Sequence, residues 1–244
     1  MSMTEWILLG FGAALVGIGK TAIPGIVMVS AGLFATVLPA RESTAALLLL
    51  LLVGDVIAVA LYSRQADWRT LARLLPSVVV GVAGGAAFLA WADNRMMERS
   101  IGAILLALTA LTIALVGRDP GRLEASVAKA PVASAYGALG GFTTMAANAG
   151  GPVVSLYFLA SRFDVTRFLG TQAWFFFIVN LVKLPFSASI GLVNAEILRI
   201  ALLLSPIVIA CAFLGRLAAP HIPQRFFNAL VLLLTAAFAI SLLV

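Results

Sequence analysis

The amino-acid sequence predicts an all-α polytopic membrane protein made of two inverted repeats. Each repeat is expected to hold a broken re-entrant helical hairpin followed by three transmembrane helices. Three observations carry this prediction. The composition is too apolar for a soluble chain, two long apolar segments are interrupted at their centres, and a set of landmarks recurs at a nearly constant spacing.

Of 244 residues, 62% are hydrophobic and 11% charged, against roughly 25% charged in ordinary soluble domains. So little charge cannot cover the surface of a water-soluble fold of this size. The net charge of +6 would suit a nucleic-acid partner, yet no basic cluster with interleaved aromatics exists. The arginines sit instead in short gaps between apolar runs, as in membrane proteins. One cysteine, Cys211, and one histidine, His221, exclude an internal disulfide and a cysteine- or histidine-rich metal site. Neither a metal nor a cofactor is expected. The start, Met1 to Glu5, lacks the positive region of a secretory signal, so the first apolar stretch is read as a retained segment.

The elements follow from the gaps between charges. The first repeat spans 1–117, with a hairpin over 6–40 and spans at 43–63, 70–92 and 98–117. A polar linker occupies 118–130. The second repeat spans 131–244, with a hairpin over 131–161 and spans at 168–190, 197–216 and 225–244. Residues 43–63 form 21 residues containing one charge, Asp55, long enough for a hydrocarbon core that needs about 20 residues of helix. Arg199 and Arg216 can snorkel outward from the ends of a shorter span. Pro185 is expected to kink the span that holds Lys183.

The two hairpins are predicted because one straight crossing does not fit. Trp6 to Ala40 runs 35 residues with only Lys20 inside, and Ala130 to Ser161 runs 32 with no charge. A helix of that length would measure about 50 Å, against a hydrocarbon core of roughly 30 Å. Each segment carries helix breakers, Gly17-Ile-Gly-Lys20-Thr-Ala-Ile-Pro24-Gly25 in the first and Asn148-Ala-Gly150-Gly151-Pro152 in the second. Two half-helices meeting inside the membrane, with Pro24 and Pro152 in first turns, account for the length.

Duplication is read from spacing. Asp55 and Asn180 lie 125 apart; Pro76 and Pro206, like Arg95 and Arg225, lie 130 apart. A constant offset is the mark of a repeat. Basic residues then favour one topology. If each broken segment crossed once, the 14 loop arginines and lysines would divide seven to seven. If each is a hairpin returning to its own side, they divide ten to four, which restores a positive-inside bias, inverts the repeats and puts both termini outside.

Irregular backbone at membrane depth is tolerated where it lines a cavity, and helix N-termini there attract anions. The candidate substrate-binding residues are therefore Lys20, Thr21, Gly25, Thr144, Asn148, Gly150, Gly151 and Lys183. Lys20 and Lys183 are either substrate contacts or lysines that brace the bundle through Asp55. With Asp55 the three sum to one positive charge, which an anion would complete. Asp55 is either a proton carrier or a static charge partner. Its counterpart Asn180 cannot titrate. Gln172 and Asn180 are supporting polar groups, with Thr143 as a further hydroxyl. Trp174 with Phe175, Phe176 and Phe177 reads as packing, and Gly81, Gly84 and Gly85 as sites of close helix approach.

The paired breaks resemble those of the TauE/SafE family of sulfite exporters. The order Gly54-Asp55, Tyr62, Asp67-Trp68, Leu75-Pro76 and Gly81-x-x-Gly84-Gly85 is similar as well, and the likeness covers essentially the whole chain. It implies a multi-pass transporter of the bacterial cytoplasmic membrane, carrying sulfite, a sulfonate or a related organosulfur anion. Lys20-Thr21 stands where the family often has further glycines, which implies a subgroup of different selectivity. An enzyme is disfavoured because no intramembrane catalytic dyad is present. A passive anion channel and a carrier of a non-sulfur organic anion stay open. The partners expected are a small anion and lipid, with proton coupling and a homodimer both compatible; nucleic acid is not expected.

Overall fold

The computed structural model describes residues 1–89, 94–118, 120–189, 191–241 and 243. Predicted span ends at residues 92, 190 and 244, with Asp93 and Asp119 of the predicted connections, lie outside the described residues. The regular structure described is entirely helical. It comprises α1 (Met3–Thr21), α2 (Val27–Val37), α3 (Ala40–Tyr62), α4 (Trp68–Leu89), α5 (Asn94–Arg118) and α6 (Pro120–Val127). It continues with α7 (Ala130–Ala147), α8 (Gly150–Ala160), α9 (Val165–Ser189), α10 (Ala195–Ala218) and α11 (Gln224–Ser241). Among the described residues, six helices are long and apolar enough to cross a membrane: Met3–Thr21, Glu42–Gln65, Trp68–Phe88, Val165–Pro185, Ala195–His221 and Gln224–Ser241. The linker, expected only to be polar, contains the short helix α6, and proline at its first position suits an N–H that a helix leaves unpaired anyway.

Both apolar segments break where expected, but not into equal halves. The first divides into helices of 19 and 11 residues, the second into 18 and 11. The long arm α1 starts with a capping box, in which the Ser2 N–H donates to the Glu5 carboxylate (2.7 Å) and the Glu5 N–H to the Ser2 hydroxyl (3.3 Å). It then runs unbroken through Gly17 and Gly19, stopping only at Thr21. Pro24 lies in the turn ahead of α2 rather than in its first turn, and Gly25 adopts φ 95° there. In the second segment Asn148, at φ 52°, closes α7 in the left-handed conformation that asparagine tolerates. The Ala149 N–H reaches back to the Thr143 carbonyl (3.0 Å), and Pro152 stands in the first turn of α8.

Each broken segment folds back on itself. In the first, Gly19 packs on Val27, Gly12 packs on Phe34, and the Ser30 hydroxyl donates to the Gly12 carbonyl (2.6 Å). In the second, Gly150 packs on Thr144 and Gly140 on Val154. In both, residues farther from the break meet residues farther beyond it, which is an antiparallel hairpin.

The chain packs as two compact units, residues 1–66 with 169–223 and residues 67–168 with 224–244. They do not coincide with the predicted repeats. The first unit takes α1, α2 and α3 from the first half, with most of α9 and all of α10 from the second. Within it α1 lies parallel to α10. Gly17 abuts the Val208 carbonyl and Ala212, while Gly215 abuts Thr21 and Ile18. Within the second unit α7 lies parallel to α4, with Gly141 against the Val78 carbonyl and Gly85 against Phe142 and Met145. Val78 and Val208 differ by the same 130 positions as Pro76 and Pro206. One contact therefore occurs twice, with the halves exchanged. Gly84, expected to serve close packing, faces open space instead.

At the start of α4, the Asp67 carboxylate accepts the Thr70 N–H (2.9 Å) and pairs with Arg167, whose guanidinium lies 4.2 Å from the Phe163 ring centroid. Partial burial pushes the Asp67 carboxyl upward. The Arg167 guanidinium and the Thr70 and Arg69 N–H groups together outweigh that and hold it below its ordinary value.

Because a side chain at Gly17 or Gly141 would meet backbone rather than a flexible side chain, each substitution by valine is expected to destabilise by about 1–3 kcal/mol. Gly84→Ala should be neutral or slightly stabilising. Thermal melts of the purified protein in detergent check this; equal melting points for all three would refute the close contacts.

Candidate functional site

The apolar interior of the first unit holds a buried ion pair. Lys20 sits in the last turn of α1 and Asp55 on α3, nearer the C-terminal end of that helix than its start. The Lys20 ammonium donates to Asp55 Oδ1 at 2.5 Å, and the Asn180 amide N–H, from α9, donates to Asp55 Oδ2 at 2.7 Å. Asp55 is 0% exposed and Lys20 8%. Both carboxylate oxygens are thus occupied, as a buried carboxylate requires. Gly54 makes room for this geometry, since a Cβ there would lie 3.0 Å from Lys20 Cγ. The ammonium also lies 4.8 Å from the centroid of the Phe176 ring, within range of a cation–π attraction.

The pair brings together positions at the repeat spacing. Asp55 and Asn180 are 125 residues apart, so Asp55 bonds the residue that the sequence spacing sets against it. Helices α3 and α9 are antiparallel at this point, because Gly170 packs on the Tyr62 carbonyl while Asn180, later in α9, meets Asp55, earlier in α3.

Helix α9 presents a stripe to this pair. Gln172, Phe176, Asn180 and Lys183 are spaced by one helical turn each and share a face. All four are buried. The Gln172 Oε1 is buried and accepts no hydrogen bond.

Thr21, next to Lys20, turns toward α10. Its hydroxyl donates to the Ala212 carbonyl (2.8 Å) and the Gly17 carbonyl (3.0 Å), while its own carbonyl accepts the Tyr62 hydroxyl at 2.7 Å. The Arg216 guanidinium lies 4.9 Å from the Tyr62 ring centroid. Gly25 forms the hairpin tip. The remaining expected residues, Thr144, Asn148, Gly150 and Gly151, belong to the second unit and form the tip of its own hairpin, where a Cβ on Gly150 would meet Thr144.

Two contacts escape the sequence reading. Phe176 reads from sequence as packing with its aromatic neighbours, although its four-residue spacing from Gln172 and Asn180 sets it on the polar face. Tyr62 and Arg216 are brought together only by the approach of α3 and α10. Among the described residues no group of three or more histidines, cysteines or carboxylates could hold a metal.

Residues 6–242 match the family described as sulfite exporter TauE/SafE. The chain belongs to that family. No curated protein and no solved structure matches it. TauE/SafE proteins are membrane transporters rather than enzymes, and sulfite and related anions are their substrates. The six apolar helices agree with a multi-pass membrane protein.

Removing one member of a buried pair leaves an uncompensated charge and costs about 3–5 kcal/mol. Asp55→Ala should therefore destabilise strongly, and Lys20→Met combined with Asp55→Ala should recover at least half of the loss. Detergent melts of the single and double variants check this, and additive losses would refute the pairing.

Proposed function

We propose that the chain is a secondary transporter that moves sulfite, a sulfonate or a related organosulfur anion by alternating access, with the Lys20–Asp55 pair as its substrate-responsive centre. The observation that supports this best is the buried charge itself. Among the described residues, the buried side chains of formally charged type are Lys20, Lys183 and Asp55. Burying such groups is costly, so intramembrane charges are functional candidates by default. An anion reaching Lys20 competes with Asp55 for the ammonium. Asp55 then keeps the Asn180 amide and takes up a proton, which couples anion movement to a proton.

Thr21 and Gly25 at the tip of the first unit's hairpin and, separately, Thr144, Asn148, Gly150 and Gly151 at the tip of the second unit's hairpin are proposed as substrate contacts, each within its own unit. They offer hydroxyls, an amide and backbone unhindered by side chains. We read the repeats as inverted, with re-entrant hairpins and both termini outside the cytoplasmic membrane. The folded-back hairpins and the meeting of Asp55 with Asn180 on antiparallel helices support that reading.

In proteoliposomes loaded for sulfite flux, Lys20→Ala and Asp55→Asn are each expected to lower the rate by at least tenfold. Asp55→Asn should also abolish the response to an imposed proton gradient. Wild-type flux by both variants would sink the reading, and ohmic, gradient-independent current through the wild type would indicate a channel. A reporter active only in the cytoplasm, fused at the C-terminus, should stay silent; an active one refutes the inverted topology.

A further inference from the structure

Gln172 carries an acceptor that the protein does not use. Its Oε1 is buried without a hydrogen bond, and the residue as a whole is 9% exposed. A buried acceptor left without a donor is costly, so such groups call for a reason. The neighbours on its face supply one. Gln172 stands one turn from Phe176, whose ring meets the Lys20 ammonium, and two turns from Asn180, which bonds Asp55. Each of those two side chains contacts a member of the ion pair, so the face that carries Gln172 is turned toward it. An anion held by Lys20 would lie on the side of α9 that carries this acceptor, and an amide oxygen can only receive a donor.

We infer that Gln172 is a specificity-determining residue, selecting small anions that themselves carry a hydrogen-bond donor. A monoprotonated sulfur oxyanion and a hydroxyl-bearing alkyl sulfonate share that chemistry; a fully deprotonated oxyanion and a plain alkyl sulfonate lack it. The inference rests on the placement of the substrate at Lys20 and adds the proton-donor requirement to it. Sites built to bond a donor reject analogues that lack it far more strongly than apolar pockets reject a missing methylene.

The test uses two probes alike in charge and nearly alike in size, hydroxymethanesulfonate and methanesulfonate, titrated calorimetrically into the full chain in lipid nanodiscs at one pH. Wild type should bind the hydroxylated probe at least tenfold more tightly, the worth of one neutral hydrogen bond. Gln172→Leu and Gln172→Met should each bring the ratio close to one. A residue that merely supports the fold would weaken both probes alike and leave the ratio unchanged, which overturns the inference. So does a wild-type ratio near one, or binding of neither probe. Lys20→Ala separates the two levels. If it abolishes binding of both probes while the wild-type ratio is one, only the Gln172 inference falls. If it binds both as wild type does, the Lys20 placement falls.

Discussion

A carboxylate inside an apolar helix bundle must be satisfied completely or not be charged at all, and the first unit is organised around meeting that demand. Asp55 has two oxygens and each has one donor, an ammonium from α1 and an amide from α9. Everything nearby follows from bringing those donors in. The long arm of the hairpin has to persist as helix until Lys20, so Gly17 and Gly19 cannot act as breakers. Gly54 has to be small so that the lysine stem can pass across α3. Phe176 offers a face to the ammonium that demands no further hydrogen bond. Low dielectric makes the pair strong and makes any loose end expensive.

The second constraint is the close approach of helix backbones. Without a hydrophobic drive between helices in lipid, association depends on small residues and tight packing. Glycines supply that in both units, at Gly17 against Val208 and at Gly141 against Val78. The consequence is that the hairpin of each half is held by the proline-bearing helix of the other. Each compact unit draws on both halves of the chain, so neither half by itself contains a complete unit.

Much of the architecture was legible because lipid imposes simple rules on sequence. The all-helical class, the two interruptions and the buried charges all depend on local composition. What stayed hidden depends on contacts between distant residues. Gly17 looked like a breaker because glycine weakens helices in isolation, and only the neighbouring α10 backbone shows that it serves packing. Pro24 reads as the first turn of α2, whereas it sits in the turn itself, with Gly25 and Ile26 between it and Val27. The pairing of Lys20 with Asp55 was one of two open readings, because no spacing rule links residues on separate helices. The stripe on α9 could have been found from the four-residue spacing of Gln172, Phe176 and Asn180, but the surrounding aromatics masked it as packing.

The meeting of Asp55 with Asn180 also limits which residues this contact can accept. Two aspartates in that place would set two carboxylates against each other in an apolar interior, and two asparagines would leave Lys20 without its anion. One side has to keep the acid and the other has to stay a neutral donor. Electrostatics therefore keeps the two sides of this contact unlike, and a change that made them alike would dissolve the pair.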